Sequence, residues 1–207
     1  YQPAIVSLAK MELINGYNEN GTSTFKPENQ ITRAEFTAII TRAMGVGNID
    51  SGVSAFADAQ DHWARGNIQV AYDRKIVNGF EDGTFRPDDN VTYEQAVKMV
   101  VCTLGYEAAS QMLGGWPNGY ISQAGKLGIT SGISGVVNNE PTTRGVVAQL
   151  IYNALDTDVM EITTSDTTAS SDKQTFMEKY LKMRKAKGTI VGIDTEVTAQ
   201  CPQKLGV

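Results

Sequence analysis

Two cysteines, one histidine and six prolines are all that the 207 residues carry of these types. Cys102 and Cys201 are far apart, with no CxxC pair and no His/Cys cluster, which excludes a zinc site. Cys102 lies in the apolar run KMVVCTLG and is expected to be a small buried thiol. Two cysteines leave the redox compartment open. The lone His62, next to Trp63, is read as structural, since no partner set for a catalytic triad or a metal accompanies it. Basic residues are also short: 18 Lys and Arg stand against 23 Asp and Glu, for a net charge of −5. A deficit of positive charge argues against nucleic acid as a partner. No apolar run approaches the roughly 18–20 residues of a membrane span. The opening Tyr1-Gln2-Pro3 has neither the charged nor the apolar region of a signal peptide, so the expectation is a mature chain or a fragment.

What is present is a globular composition, 41% apolar and 20% charged, and a sentence written more than once. FKPENQITRAEFTAII at 25–40 returns as FRPDDNVTYEQAVKMV at 85–100. Thr32 aligns with Thr92, and Thr92 with Thr143. Upstream, DHWARGNIQVAYDRKIVNG matches GGWPNGYISQAGKLGITSG, so Trp63 falls on Trp116, Ile68 on Ile121 and Gly79 on Gly132. Three units follow, at 1–45, 56–105 and 114–155, the first without the counterpart of FADAQDHW.

Each unit has one local grammar. Ile68, Ala71, Tyr72 and Ile76 recur at helical spacing and predict a helix over 65–75, ended by Gly79; Gly16 and Gly132 are its equivalents. A turn-rich loop such as FEDGTFRPDD leads to a second helix. Its apolar face is Ala34, Ile39, Ile40 and Ala43 in the first unit, Ala96, Met99, Val100 and Leu104 in the second, and Val147, Leu150, Ile151 and Ala154 in the third. Gly45 and Gly105 stop the first two of these helices. A single pair of helices cannot bury two apolar faces, and a closed pseudo-threefold cluster of three pairs can. The fold class is therefore mainly α.

Thr32 and Glu35 form a capping box, Thr92 and Gln95 repeat it, and Thr143 caps without an acid because Val146 stands three residues on. Capping does not explain Arg33 and Arg144, which put a cation at the positive end of a helix at a cost of about 0.3–1 kcal/mol. Two compatible readings remain. One is an ion pair with Glu35 or with an acid of a neighbouring loop. The other is an anion site, in which free helix amides and the guanidinium fork meet a carboxylate or phosphate. On the second reading, truncating Arg33 to Ala is expected to leave the fold intact. Trp63 and Trp116 are read either as core anchors or as stacking faces for a sugar ring. Asn18, Asn20 and Gly21 imitate the start of a calcium loop, but no Glu falls at the closing position, so neither metal nor cofactor is expected.

The stretch from Phe56 to Val100, with Phe56/Asp58, His62-Trp63-Ala64, Ile68/Ala71 and Gly79 to Pro87, together with Ile31 to Glu35, resembles the S-layer homology (SLH) domain. The resemblance covers about 1–155. It implies a three-pronged assembly around a central helical bundle. It also implies a non-catalytic, extracellular anchor at the bacterial cell wall, whose partner is a pyruvylated secondary cell-wall polysaccharide bound in grooves between repeats. The implied ligand-binding residues are Arg33 and Arg144, with Trp63, Trp116, Asp58 and the glycine–aromatic pairs Gly16-Tyr17 and Gly79-Phe80. Tyr93 stands where the second unit should have its arginine, so that groove is expected to bind weakly or differently. A structural S-layer subunit, whose main contacts are with other subunits, is the alternative; an enzyme has no residue set to support it. Beyond the repeats, 156–172 reads as a Thr/Ser/Asp-rich linker. In 173–207, KQTFMEKYLKMRKAKG reads as a helix with Phe176, Tyr180 and Leu181 on one face, and GTIVGIDTEVTAQ as a strand that starts a further domain.

Overall fold

The computed structural model describes residues 1–47, 52–160 and 174–185. Its helices are α1 (Gln2–Lys10), α2 (Arg33–Ala43), α3 (Arg65–Asp73), α4 (Tyr93–Thr103), α5 (Glu107–Met112), α6 (Asn118–Lys126) and α7 (Arg144–Ala154). A hairpin of β1 (Tyr17–Glu19) and β2 (Thr22–Thr24) lies between α1 and α2. The chain is mainly α, as its pattern requires.

The closed threefold arrangement is present, and it is built by exchange between units. α2 packs on α3, α4 on α6, and α7 on α1, so each second helix takes the first helix of the next unit as its main partner. α2, α4 and α7 meet in the centre through α2–α4 and α4–α7 contacts. Isolated bridges close the same ring: Thr32 with Asn90, Thr92 with Pro141, and Gln30 with Thr143. The apolar faces expected on the second helices are all buried, with Ala34, Ala96 and Leu150 fully so. Each large side chain among them contributes about 1.5–3 kcal/mol by leaving water.

The first helices stop earlier than the glycines predict. Glu12 (φ 58°), Lys75 (φ 58°) and Gly128 (φ 74°) take the left-handed position after α1, α3 and α6. Paired bonds then close the ends: Leu13 N–H to Leu8 O (3.0 Å), Ile76 to Ala71 (2.8 Å) and Ile129 to Ala124 (2.9 Å). The strain of two non-glycine residues there, about 1–2 kcal/mol each, is offset by burial of the residue that follows. Leu13, Ile76 and Ile129 are 3%, 2% and 0% exposed. Gly16, Gly79 and Gly132 come four residues later, in the loops. α2 and α4 do end at Gly45 (φ 70°) and Gly105 (φ 83°).

In the first unit a hairpin stands where a turn-rich loop is expected. Asn20-Gly21, at φ 52° and 80°, is the two-residue turn that matches strand twist, flanked by Tyr17-Asn18-Glu19 and Thr22-Ser23-Thr24.

Two expectations for the tail are corrected. Residues 156–160 are not linker: Val159 is buried, Met160 N–H bonds Leu104 O at 2.9 Å, and Asp158 bridges Thr175. The helix expected from 173 onward is a single π-turn, Met177–Leu181, ended by Lys182 at φ 56°. Its Phe176 and Met177 are buried, and Phe176 lines a small apolar void with Ile40, Ala43, Val100, Leu104, Ile151 and Ala154. It thereby seals the C-terminal end of the central bundle. The rest of the linker and the strand at 188–200 lie outside the described residues.

Candidate functional site

The capping boxes form as written. Glu35 N–H bonds Thr32 Oγ1 (3.2 Å) and Thr32 N–H bonds Glu35 Oε2 (2.9 Å); Thr92 and Gln95 repeat this, and Thr143 caps only Val146 N–H. The amides that precede them are not free. Arg33 N–H donates to Asp89 O and Ala34 N–H to Pro87 O, both at 2.9 Å. Arg144 and Gly145 donate to Asn29 and Pro27, and Tyr93 and Glu94 to Glu140 and Asn138. Each helix start is thus plugged into the next unit's loop. An anion site made of helix amides is therefore excluded at these ends, and any anion recognition belongs to side chains.

Nor is Arg33 ion-paired. Glu35 is engaged in its capping box, and Arg33 meets no carboxylate within ion-pair distance among the described residues. Its Nε donates to Phe85 O (2.8 Å) and Nη1 to Gln95 Oε1 (2.9 Å). The guanidinium sits 4.7 Å from the Phe80 ring centroid and 4.6 Å from that of Phe85. Arg86 also lies over Phe80, at 4.0 Å from the ring centroid. Arg144 repeats the arrangement in the first unit's loop: Nε to Phe25 O (3.0 Å), Nη2 to Asn15 O (2.8 Å), and rings of Tyr17 and Phe25 at 4.6 Å. Both arginines are 6% exposed. Burial pushes Arg33 down to about 10, which leaves it protonated at neutral pH.

Two of the five N–H groups of Arg33 are used in these bonds. The side chain lines a cleft of about 780 Å³. Gly79, Phe80, Gln95, Lys98 and Trp116 line it too, so residues of all three units converge there. Trp116 is 47% exposed and Trp63 65% exposed, which overturns the core-anchor reading for both. Trp63 stands beside His62, with ring centroids 5.3 Å apart, and does not line this cleft. His62 is held by Asp88 Oδ1 at 3.2 Å and accepts from Ala64 N–H, as a structural residue.

Asp58 has a different place from the one its motif implies. Its carboxylate accepts the amides of Phe85 (3.0 Å) and Arg86 (2.7 Å) and does not line the cleft. It fixes the loop whose carbonyl holds Arg33. Asp82 holds the same loop, accepting from Thr84 (2.6 Å) and Arg86 (2.7 Å), and these bonds keep its carboxyl well below the usual range. Gly79, at φ 72°, lets the chain pass against Phe56 and the carbonyl of Thr84; Gly16 passes as closely to Ser23 and Thr24. Phe25, Phe85 and Lys98 were not singled out from the sequence, and Gln95 only as a cap. The signal for the two phenylalanines was the repeated Phe25-Lys26-Pro27 and Phe85-Arg86-Pro87.

The third groove differs. Around Tyr93 a cleft of about 250 Å³ is lined by Tyr1, Glu28, Glu140 and Thr142, with no lysine or arginine side chain among its lining residues. Burial raises the Tyr93 phenol above its ordinary value, so it stays neutral. No group of three or more His, Cys, Asp or Glu that could hold a metal occurs among the described residues.

A ring of helix pairs that plug one another's loops, with two arginines in aromatic sleeves and one of them lining an open cleft, defines a repeat-built scaffold. The profile of the S-layer homology domain matches residues 1–37 and 55–97, and the chain belongs to that family. It is 34% identical over 188 residues to a Brevibacillus brevis "Middle cell wall protein", covering 88% of this chain and 17% of that protein. It is 32% identical over 188 residues to a Brevibacillus choshinensis "Surface layer protein", covering 88% and 16%. An Acetivibrio thermocellus "Cellulosome-anchoring protein" is 39% identical over 72 residues, covering 33% and 16%. The chain spans about a sixth of the length of the first two relatives. Its place is extracellular, at the bacterial cell wall or S-layer. Among the described residues no helix is long and apolar enough to cross a membrane.

Proposed function

We propose that this protein is a non-catalytic cell-wall anchor that binds an anionic, pyruvylated secondary cell-wall polysaccharide. Residues 1–45, 56–105 and 114–155 are on this reading three S-layer homology repeats. The observation that carries it is the Arg33 cleft. A guanidinium charged at neutral pH is held by one backbone carbonyl, one side-chain amide and two rings, and it borders an open cleft that the exposed Trp116 also lines. A pyruvate ketal presents a carboxylate on a sugar ring, which suits a fork and a stacking face held a fixed distance apart. Arg144, with Tyr17 and Phe25, supplies a second site of the same design. The groove of Tyr93, Glu28 and Glu140 repels such a ligand. A pull-down on purified sacculi, before and after chemical removal of the wall polymer, tests the reading. Retention on stripped sacculi at the level of intact ones would overturn it. A structural subunit held by protein contacts is the second reading, favoured by the similarity to a surface layer protein; binding to other subunits without sacculi would support it.

A further inference from the structure

Lys98, on α4, borders the Arg33 cleft and has no carboxylate partner among the described residues. Its ammonium stands 5.5 Å from the ring centroids of both Trp116 and Tyr120, and the side chain is half-buried. The fold does not require a cation there. The repeat puts Ala38 at the same place in α2 and Gln149 in α7, where Gln149 bonds Asn153 one turn on. The cleft's third cation, Arg86, is closed on Asp82 at 2.7 Å, and Glu81 is the exposed acid left on the wall. Arg33 and Lys98 are therefore two separate cations without carboxylates, facing one space. A single carboxylate gripped by the Arg33 fork leaves the ammonium over its two rings, partly stripped of water. A second anionic group restores what it lost.

We propose that Lys98 is a specificity residue of this cleft, selecting a polymer segment with a second negative group beside the one Arg33 takes. The site of Arg144 has Ala38 at the equivalent position. The second group is a phosphate ester or a second carboxylate. This inference rests on the cleft being the polymer site.

Trp116 and Trp63 are the two tryptophans of the chain, so their indole N–H signals can be followed separately. The intact chain is titrated with three probes: a methyl glycoside bearing one pyruvate ketal, a disaccharide adding a methyl phosphodiester, and a disaccharide adding a uronic acid carboxylate. The Trp116 signal is expected to report about tenfold tighter binding of one doubly charged probe over the singly charged one. Which doubly charged probe gains identifies the group. In Lys98→Gln and in Lys98→Met, which keeps an unbranched apolar stem, that advantage disappears. An unchanged Trp63 signal shows that the variants are folded. Equal affinity for all three probes, or an advantage that survives both substitutions, overturns the inference while leaving the anchor reading in place. Failure of every probe to move Trp116 overturns both.

Discussion

The Nε–H of Arg33 points at the carbonyl of Phe85, 2.8 Å away in another unit's loop, and Arg144 makes the same contact with Phe25 at 3.0 Å. Each of these two arginines is thus a piece of inter-unit structure.

Stability should show this role. Arg33→Ala, expected to leave the fold intact, should nonetheless cost stability. Removing the side chain strands a carbonyl, uncovers two rings and frees Gln95, so a loss of about 2–3 kcal/mol in urea unfolding is expected. Arg33→Lys retains the charge but not the fork, and should lose sacculus binding with a smaller loss of stability.

Two glycines at nearly the same φ should respond differently. In Gly79→Ala a methyl meets the Phe56 ring and the Thr84 carbonyl, and the residue sits at φ 72°. In Gly132→Ala, at φ 73°, no atom lies within 4 Å. Thermal melts should show about 1 kcal/mol lost at Gly132 and at least twice that at Gly79, with polymer binding impaired only at Gly79.

Phe176 closes the bundle end away from the clefts. Phe176→Ala should cost about 3–4 kcal/mol in chemical denaturation and leave the affinity of the clefts unchanged at temperatures where the variant is folded. A parallel loss of affinity would show that the tail shapes the clefts.

Alkaline stability should be reduced by Cys102. Burial pushes its thiol up from the ordinary 9.0 to about 12. The unfolded chain ionises first, so the stability tied to the neutral thiol is complete below about pH 9 and lost as pH rises toward about 12. The difference in urea midpoint between wild type and Cys102→Val should therefore change across that window. A constant difference from about pH 8 to about pH 11 would refute the burial argument.

Local rules were readable from single stretches. Thr32 with Glu35, and Thr92 with Gln95, act within one helical turn, so spacing alone announces them. Gly45 and Gly105 were legible for the same reason. The earlier stops at Glu12 and Lys75 were not, because a left-handed Glu or Lys is held by burial of Leu13 and Ile76, a tertiary condition. Arg33 and Arg144 could be recognised as anomalous and not as bonded, since Phe85 and Phe25 lie far along the chain from them.

The amino-acid order alone determined a threefold repeat, its capped helices and the odd placement of two arginines, because caps and periodicity depend on neighbours a few residues apart. Tertiary packing alone decided that helix amides are consumed by the next unit's loop, that Asp58 holds a loop, and that Trp116 and Lys98 join Arg33 at one cleft. Closing the ring brings distant segments into contact at positions set by the packing of all three units together, which no single segment encodes.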